Sequence, residues 1–239
     1  MDYLEHYRRD LSLFDYVDFS PSQKEDERRR FQALIRLGGF EKGEMVLDIG
    51  SGSGWLSKLM AEKGVRAYGM DLSTEQWKRG TEVLGGKREG FVVGDALSLP
   101  FRDLCLDGVI LSEVLEHVSN PGRVLEEGSR VLKSGGRVLL SVPFEEKIRY
   151  ALCVHCNKPT PINAHLRTFD ASTVKIICRE AGFEVRKSVQ FMPRALSLTG
   201  LNRFLPFLPY SLWRTAERFS LAILGQANFL ICVAEKGSR

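Results

Sequence analysis

Val46-Leu47-Asp48-Ile49-Gly50-Ser51-Gly52-Ser53-Gly54 is the stretch on which the reading of this chain turns. A short apolar run carrying one acid passes into a turn with glycine at every second position. Helical spacing then resumes at Trp55-Leu56-Ser57-Lys58-Leu59-Met60. The pattern predicts a strand, a tight turn and a helix N-terminus. Glycines there let the backbone turn sharply and approach a ligand beside the electropositive helix end. A dinucleotide fingerprint starting at Gly50 would need glycine at position 55, where Trp55 stands, and it has no place for Asp48. No G-x-x-x-x-G-K-[ST] occurs, so a P-loop is excluded.

Outward from that turn, short apolar runs alternate with helical stretches. Strands are expected at 45–49, 65–70, 90–94, 106–111 and 136–142, with helices at 54–63, 73–84 and 121–132. Such alternation reads as βαβ units on a parallel sheet. A helix at 170–181 ends on Gly182, strands follow at 183–191 and 228–235, and 192–227 forms a long insertion between them. Upstream, segments 2–17 and 22–37 have helical spacing; Ser20-Pro21 reads as an N-cap with proline at the first helical position, and Gly38-Gly39 as a stop.

Composition bounds the possibilities. The chain has 239 residues, 44% of them hydrophobic and 27% charged, which argues for one ordinary globular domain over 1–239 and against disorder. Five cysteines spread over this length do not make a secreted disulfide framework. No signal-peptide h-region or uncharged apolar run of membrane-spanning length is visible, so a soluble, cytoplasmic protein is expected. The net charge of +4 is too small to imply nucleic acid, but it is unevenly placed: 185–239 carries +6, and the preceding residues −2.

Taken in order, the motifs resemble the class I S-adenosylmethionine-dependent methyltransferases, in particular the UbiE/UbiG-like small-molecule branch. The acid-then-glycine motif runs from Asp48 to Gly54; Asp71 ends the second strand, and Gly94-Asp95-Ala96 the third. Asp107-Gly108-Val109-Ile110 opens the fourth, and Lys133-Ser134-Gly135-Gly136 leads into the fifth. The resemblance covers about 40–191, with a weaker echo at 228–236. It implies a Rossmann-like, seven-stranded, mostly parallel sheet with an antiparallel last strand, an N-terminal helical lid and a helical insertion before that strand. It further implies S-adenosyl-L-methionine as cofactor. Gly50, Ser51 and Gly52 would approach its methionine part, and Asp48 would orient the loop or the amino group. Asp71 and Leu72 would meet the ribose, Asp95 and Ala96 the adenine, with Ser112 completing the set. Each aspartate alone would read as a turn residue or helix cap; their ordered spacing favours ligand binding.

Ser112-Glu113-Val114-Leu115-Glu116-His117 follows the fourth strand, at the edge where such sheets hold ligands. If helical, Glu113, Glu116 and His117 share one face. With His165 as a fourth group, the set is similar to the metal site of small-RNA 2′-O-methyltransferases and ubiquinone-pathway O-methyltransferases. These four are the catalytic candidates and also a candidate divalent-metal set. Read without a metal, His117 would line the pocket or serve as a base. Cys153-Val154-His155-Cys156 competes for His165 as half a zinc knuckle, but no second C-x-x-C exists, so a reduced pair in a substrate loop is favoured.

Residues 194–224 mix leucine and aromatic residues with Arg194, Arg203, Arg214 and Arg218. Such a segment can cover the sheet, close over an apolar substrate or contact an anionic membrane. Trp55 and Trp77 are expected to pack their helices, and the alternating charges of Lys24 to Arg30 to form a solvated helix face. The resulting expectation is methyl transfer, with oxygen favoured as the nucleophile, to a small hydrophobic or amphiphilic acceptor. A nicotinamide-dependent oxidoreductase or a non-catalytic cofactor-binding module is the alternative. An RNA acceptor is disfavoured, because no RNA-binding module is evident.

Overall fold

The computed structural model describes residues 20–76, 78, 90–152, 157–199 and 207–237. The expected helix at 2–17, Trp77, most of the expected helix at 73–84, Cys153 to Cys156, and Leu201 to Leu205 with Arg203 lie outside the described residues.

Seven strands make one sheet: β1 (Met45–Ile49), β2 (Arg66–Asp71), β3 (Phe91–Val93), β4 (Leu106–Ser112), β5 (Leu132–Pro143), β8 (Phe183–Pro193) and β9 (Ala227–Lys236), in the order β3-β2-β1-β4-β5-β9-β8. β9 runs antiparallel to both neighbours and every other pairing through β5 is parallel. This is the expected Rossmann-like sheet. β5 starts four residues earlier than its apolar run, because Leu132 pairs with Leu106 before a bulge that resumes at Gly108 and Arg137. A small hairpin of β6 (Tyr150–Leu152) and β7 (Pro159–Pro161), followed by a 3₁₀ turn at Ile162–Ala164, was not expected. Its strands are only three residues each, and two of the three in β7 are proline, so neither shows alternation.

Parallel strands are covered on both faces, so each contributes alternate residues to two cores. Val46, Ile110, Leu139 and Ile231 face one side, with Ala33 and Leu34 of α1 (Pro21–Gly38) and Leu56 and Met60 of α2 (Trp55–Ala61). Leu47, Val109, Leu111 and Leu140 face the other, with Val124 and Leu125 of α3 (Pro121–Val131) and Val174 of α4 (Ala171–Glu180). α1 starts as read: Ser20 caps it in a reciprocal box with Gln23, Pro21 opens it, and Gly39 closes it in the left-handed region. Its charge run is not wholly solvated, however. Glu25 and Arg29 are buried and paired with one another, because that edge of α1 packs against the insertion, where Arg29 donates to the Leu208 carbonyl and lies over the Trp213 ring. The insertion contains α5 (Arg194–Thr199) and α6 (Tyr210–Leu224). Among the described residues no helix is long and apolar enough to cross a membrane.

β1 is flanked by β2 on one side and β4 on the other, so the chain reverses its direction of winding between β1 and β4. In open α/β sheets the ligand crevice opens at that switch point, beyond the carboxyl ends of the strands. Here those ends are Ile49 and Ser112.

Candidate cofactor and acceptor site

The turn after β1 is built by backbone geometry. Gly50, Gly52 and Gly54 all have positive φ, at 68°, 51° and 76°. The N–H groups of Gly50 and Ser51 both donate to the Met70 carbonyl, at 2.8 and 3.0 Å. A Cβ on Gly50 would stand 2.5 Å from Val114 Cγ2, whereas one on Gly52 would meet nothing within 4 Å. Gly50 is thus glycine for close packing, and Gly52 leaves open space over the loop.

Asp71 closes this turn. Its Oδ2 accepts from the Gly52 N–H at 3.1 Å and its Oδ1 from the Ser73 N–H at 3.0 Å. Burial raises its pKa, and the N–H donors of Ser73, Gly52 and Leu72 oppose that rise. Each oxygen retains a further lone pair for a ligand hydroxyl. Asp48 is buried beneath the loop and accepts from Ser57 Oγ at 3.1 Å. Desolvation pushes its carboxyl up to about 7, the Ser57 bond opposes this, and the charge of Asp71 adds to it. Asp95 Oδ1 accepts from the Leu97 N–H at 2.9 Å. The loop beyond it is fastened by α3: Glu127 accepts from the Leu99 N–H, and Arg130 donates to the Leu99 and Phe101 carbonyls.

Two clefts meet at Gly50. One brings Gly50, Asp71, Leu72, Asp95 and Ala96 together with Glu113, Val114 and His117. The other, larger, brings Asp48, Ser51, Gly52 and Ser112 together with α1, through Lys24, Arg28, Arg30 and Phe31. All nine residues expected to meet the cofactor line one or the other. Trp55 corrects its reading. It does not pack its helix but is 49% exposed, lies under Lys58 Nζ and lines the second cleft, because the glycine turn points the first helical residue outward.

Glu113 to His117 form a turn, not the helix their spacing allowed, since Glu113 takes a left-handed φ of 57°. The Glu113 N–H donates to the Ser141 carbonyl and its Oε1 accepts from Ser141 Oγ, both at 2.8 Å. That fixes it toward β5. The residues brought together are Glu116, His117 and His165, with ligand atoms all within 4.8 Å of one another; Glu113 falls outside this set, a correction to the four-ligand expectation. Glu116 is fully buried and neither carboxyl oxygen has a hydrogen-bond partner. Burial, then repulsion from Glu113, raises its pKa well above the carboxylate range. His117 is pushed down to about 4 by burial and the neighbouring His165, whose ring meets it edge-on at 4.8 Å. His165 Nδ1 is held by Glu146 Oε2.

Glu146, Ser141 and Ser57 escaped the sequence reading, whereas α1 lines the second cleft, in keeping with the N-terminal helical lid that was expected. Ser141 and Glu146 lie at and just past the carboxyl end of β5, the same sheet edge as Ser112. That topological position is the one signal that would have marked them.

A switch-point cleft with a glycine cradle, acids at the ends of three adjacent strands, and the unpartnered buried Oγ of Ser112 suits a nucleoside cofactor carrying an amino-acid tail. The fold and site define the class of Rossmann-like enzymes built around such a cofactor. Comparison with known proteins narrows this. Residues 47–140 match the methyltransferase domain family Methyltransf_11. The chain is 38% identical over 117 residues to the demethylmenaquinone methyltransferase of Thermobifida fusca, covering 48% of this chain and 50% of that protein. It is 30% identical over 173 residues to that of Clavibacter sepedonicus, covering 69% and 66%. The fold is like that of an S-adenosylmethionine-dependent methyltransferase from Mesorhizobium loti, with a TM-score of 0.62 at 19% identity over 87% of this chain and 98% of that one. The chain belongs to the class I S-adenosylmethionine-dependent methyltransferases. It spans about half the length of the curated relatives it matches first. The nicotinamide reading falls with this assignment.

Proposed function

We propose that the protein transfers a methyl group from S-adenosyl-L-methionine to a small, hydrophobic or amphiphilic acceptor, with oxygen as the preferred nucleophile. The observation that carries this reading is the single cleft in which Asp71 and Asp95 face Glu113 and His117 across Gly50. Asp71 would receive the ribose hydroxyls, the Asp95–Ala96 turn the adenine, and the backbone of Gly50 to Gly52, with Asp48 and Ser112, the methionine part. The reactive sulfonium would then lie between the glycine loop and the Glu113 turn. Alignment of donor and acceptor in a dry site can lower a barrier by roughly 7–11 kcal/mol, so holding the partners is most of the catalysis.

On the acceptor side, neutral His117 would take the proton from an attacking hydroxyl, while Glu113 and Glu116 would orient it. Glu116, His117 and His165 also fit a divalent cation, on the ground that Glu116 has two buried oxygens without a hydrogen bond and His117 Nε2 lies 3.9 Å from one of them. When bound, such an ion would supply Lewis-acid polarisation of the acceptor oxygen. Glu146 would hold His165 by its Nδ1, leaving Nε2 to face the site. The relatives are named for demethylmenaquinone, which makes that compound the first acceptor to try.

Calorimetric titration with S-adenosylhomocysteine, with NADH as control, tests the cofactor half; binding of the first alone is expected. Transfer from methyl-labelled cofactor to demethylmenaquinone chemically reduced to its quinol, and to a panel of phenols, with product NMR, tests the acceptor and the atom methylated. Tight cofactor binding with no turnover on any acceptor, with or without added Mg²⁺ or Mn²⁺, would sink the catalytic reading in favour of a cofactor-binding module.

A further inference from the structure

Helix α6 turns its polarity the wrong way round for a helix facing water. Its inward side holds Trp213, 5.4 Å from the Phe191 ring and 5.0 Å beneath the Arg29 guanidinium. It also holds Glu217, 1% exposed, which accepts from the Met192 N–H at 2.8 Å and pairs with Arg214. Its outward side carries Leu212, Phe219 and Ile223, which are 60%, 68% and 67% exposed. Those positions are seven and four residues apart, so they form one stripe along the helix. Phe207, just before the helix, is 93% exposed. Of the intervening exposed positions, Thr215, Ala216 and Ala222 are small and Arg218 is charged, so the large apolar side chains stand clear of the surface.

Charge decides what this stripe fits. The only acid of α6 is Glu217, and it is buried, so the exposed charge of the helix is positive, from Arg218 with part of Arg214. The whole C-terminal stretch from 185 onward carries +6 against −2 for the rest. A convex apolar stripe with a cationic edge and no exposed acid matches an interfacial helix.

We propose that the outward face of α6 docks this protein on an anionic lipid surface, with Leu212, Phe219 and Ile223 entering the headgroup boundary and Arg218 meeting lipid phosphates. The site lies one helix away. Arg29 of α1 donates to the Leu208 carbonyl at 2.9 Å and Arg36 lies 4.6 Å over the Tyr210 ring, while other residues of α1 line the open cleft. Docking through α6 therefore brings α1 and the cleft it lines towards the lipid. That consequence for acceptor delivery rests on the proposed function, whereas the docking does not.

The test is co-sedimentation of the full chain, without cofactor or acceptor, on vesicles of phosphatidylcholine with or without phosphatidylglycerol. Binding is expected only with the anionic lipid, and salt should weaken it. Phe219→Glu with Ile223→Glu should reduce it by about tenfold or more, and Arg218→Gln by about fivefold, with the thermal midpoint unchanged. If the double glutamate variant fails to fold, Phe219→Ser with Ile223→Ser gives the same test. Equal sedimentation on neutral and anionic vesicles, or no loss in the folded double variant, would overturn the proposal. So would a concentration-dependent dimer that the double variant dissolves, since the face would then belong to a second copy of the chain.

Discussion

The two halves of the cleft satisfy their polar groups in different ways. On the glycine-loop side every acid already has a donor: Asp71 takes the N–H groups of Gly52 and Ser73, Asp95 that of Leu97, and Asp48 the hydroxyl of Ser57. On the acceptor side Glu116 is just as buried, yet neither of its oxygens is hydrogen-bonded. A buried carboxyl without a hydrogen bond costs stability, and native structures keep such groups mainly where they have work to do. Apart from the unpartnered Oγ of Ser112, the first half is a finished scaffold that a ligand joins. The second is unfinished until a ligand, proton or ion completes it.

The sharpest way to break this contrast is Glu116→Leu. Turnover should fall by about 10²- to 10⁴-fold, while affinity for S-adenosylhomocysteine stays unchanged. The same change should raise stability, by about 1–2 kcal/mol in urea unfolding, because an apolar side chain replaces an unsatisfied one. A destabilised variant with full activity would mean that Glu116 is structural and the contrast is wrong. Next in size, Asp71→Ala strips the glycine loop of its clasp and the ligand of an acceptor. Charged hydrogen bonds of this kind are worth about 1.5–3 kcal/mol, so cofactor affinity should drop by about 10²-fold, with Asp71→Asn intermediate. Calorimetry on the two variants checks both figures.

The same contrast explains what could be read from the sequence. The cofactor half is encoded by short spacings: Asp48 to Gly54 is one strand and its turn, and Asp71 and Asp95 mark the next two strand ends. Strand periodicity therefore placed them at strand ends, and the resemblance to the methyltransferases gave them their expected roles. The acceptor half is assembled from distant pieces. Spacing within Glu113 to His117 invited a helix, but the left-handed φ of Glu113 turns its side chain to Ser141, 28 residues on, and out of the set formed by Glu116, His117 and His165. Nothing local in Glu146 announces that it will hold His165. α6 was legible as apolar and basic, but only packing reveals that Trp213 and Glu217 face in while Phe219 faces out.

Asp48 sharpens the comparison from the satisfied side, since even there burial has a pH-dependent cost. Its native carboxyl titrates near 7, far above the value of about 3.9 in an unfolded chain. Between those values folding takes up a proton, so this group lowers stability as pH rises, by up to about 1.4 kcal/mol per unit, and no further above 7. Asn keeps an acceptor for Ser57 and does not titrate. The advantage of Asp48→Asn over the parent should grow from pH 4 to 7 and then level off, as read from unfolding midpoints across that range. Parallel curves would show that the Ser57 bond already offsets the burial.

The smallest expected effects separate two glycines that look alike in sequence. Gly50→Ala must place a methyl group 2.5 Å from Val114 Cγ2 while holding φ at 68°, so it forces apart the turn and the residue that follows Glu113. Overpacking of that kind costs about 1–3 kcal/mol. Gly52→Ala also has a positive φ, 51°, but its added methyl meets nothing within 4 Å. Its stability cost should be only the backbone term, about 1 kcal/mol, while on the proposed function its methyl would stand where the ligand is to lie. Thermal unfolding should therefore rank Gly50→Ala as the less stable. Cofactor titration, compared with each variant's own loss of stability, should show Gly52→Ala as the one disproportionately impaired. If both variants lose stability and affinity in the same proportion, the loop acts as one structural unit and its open side has no separate role in holding a ligand.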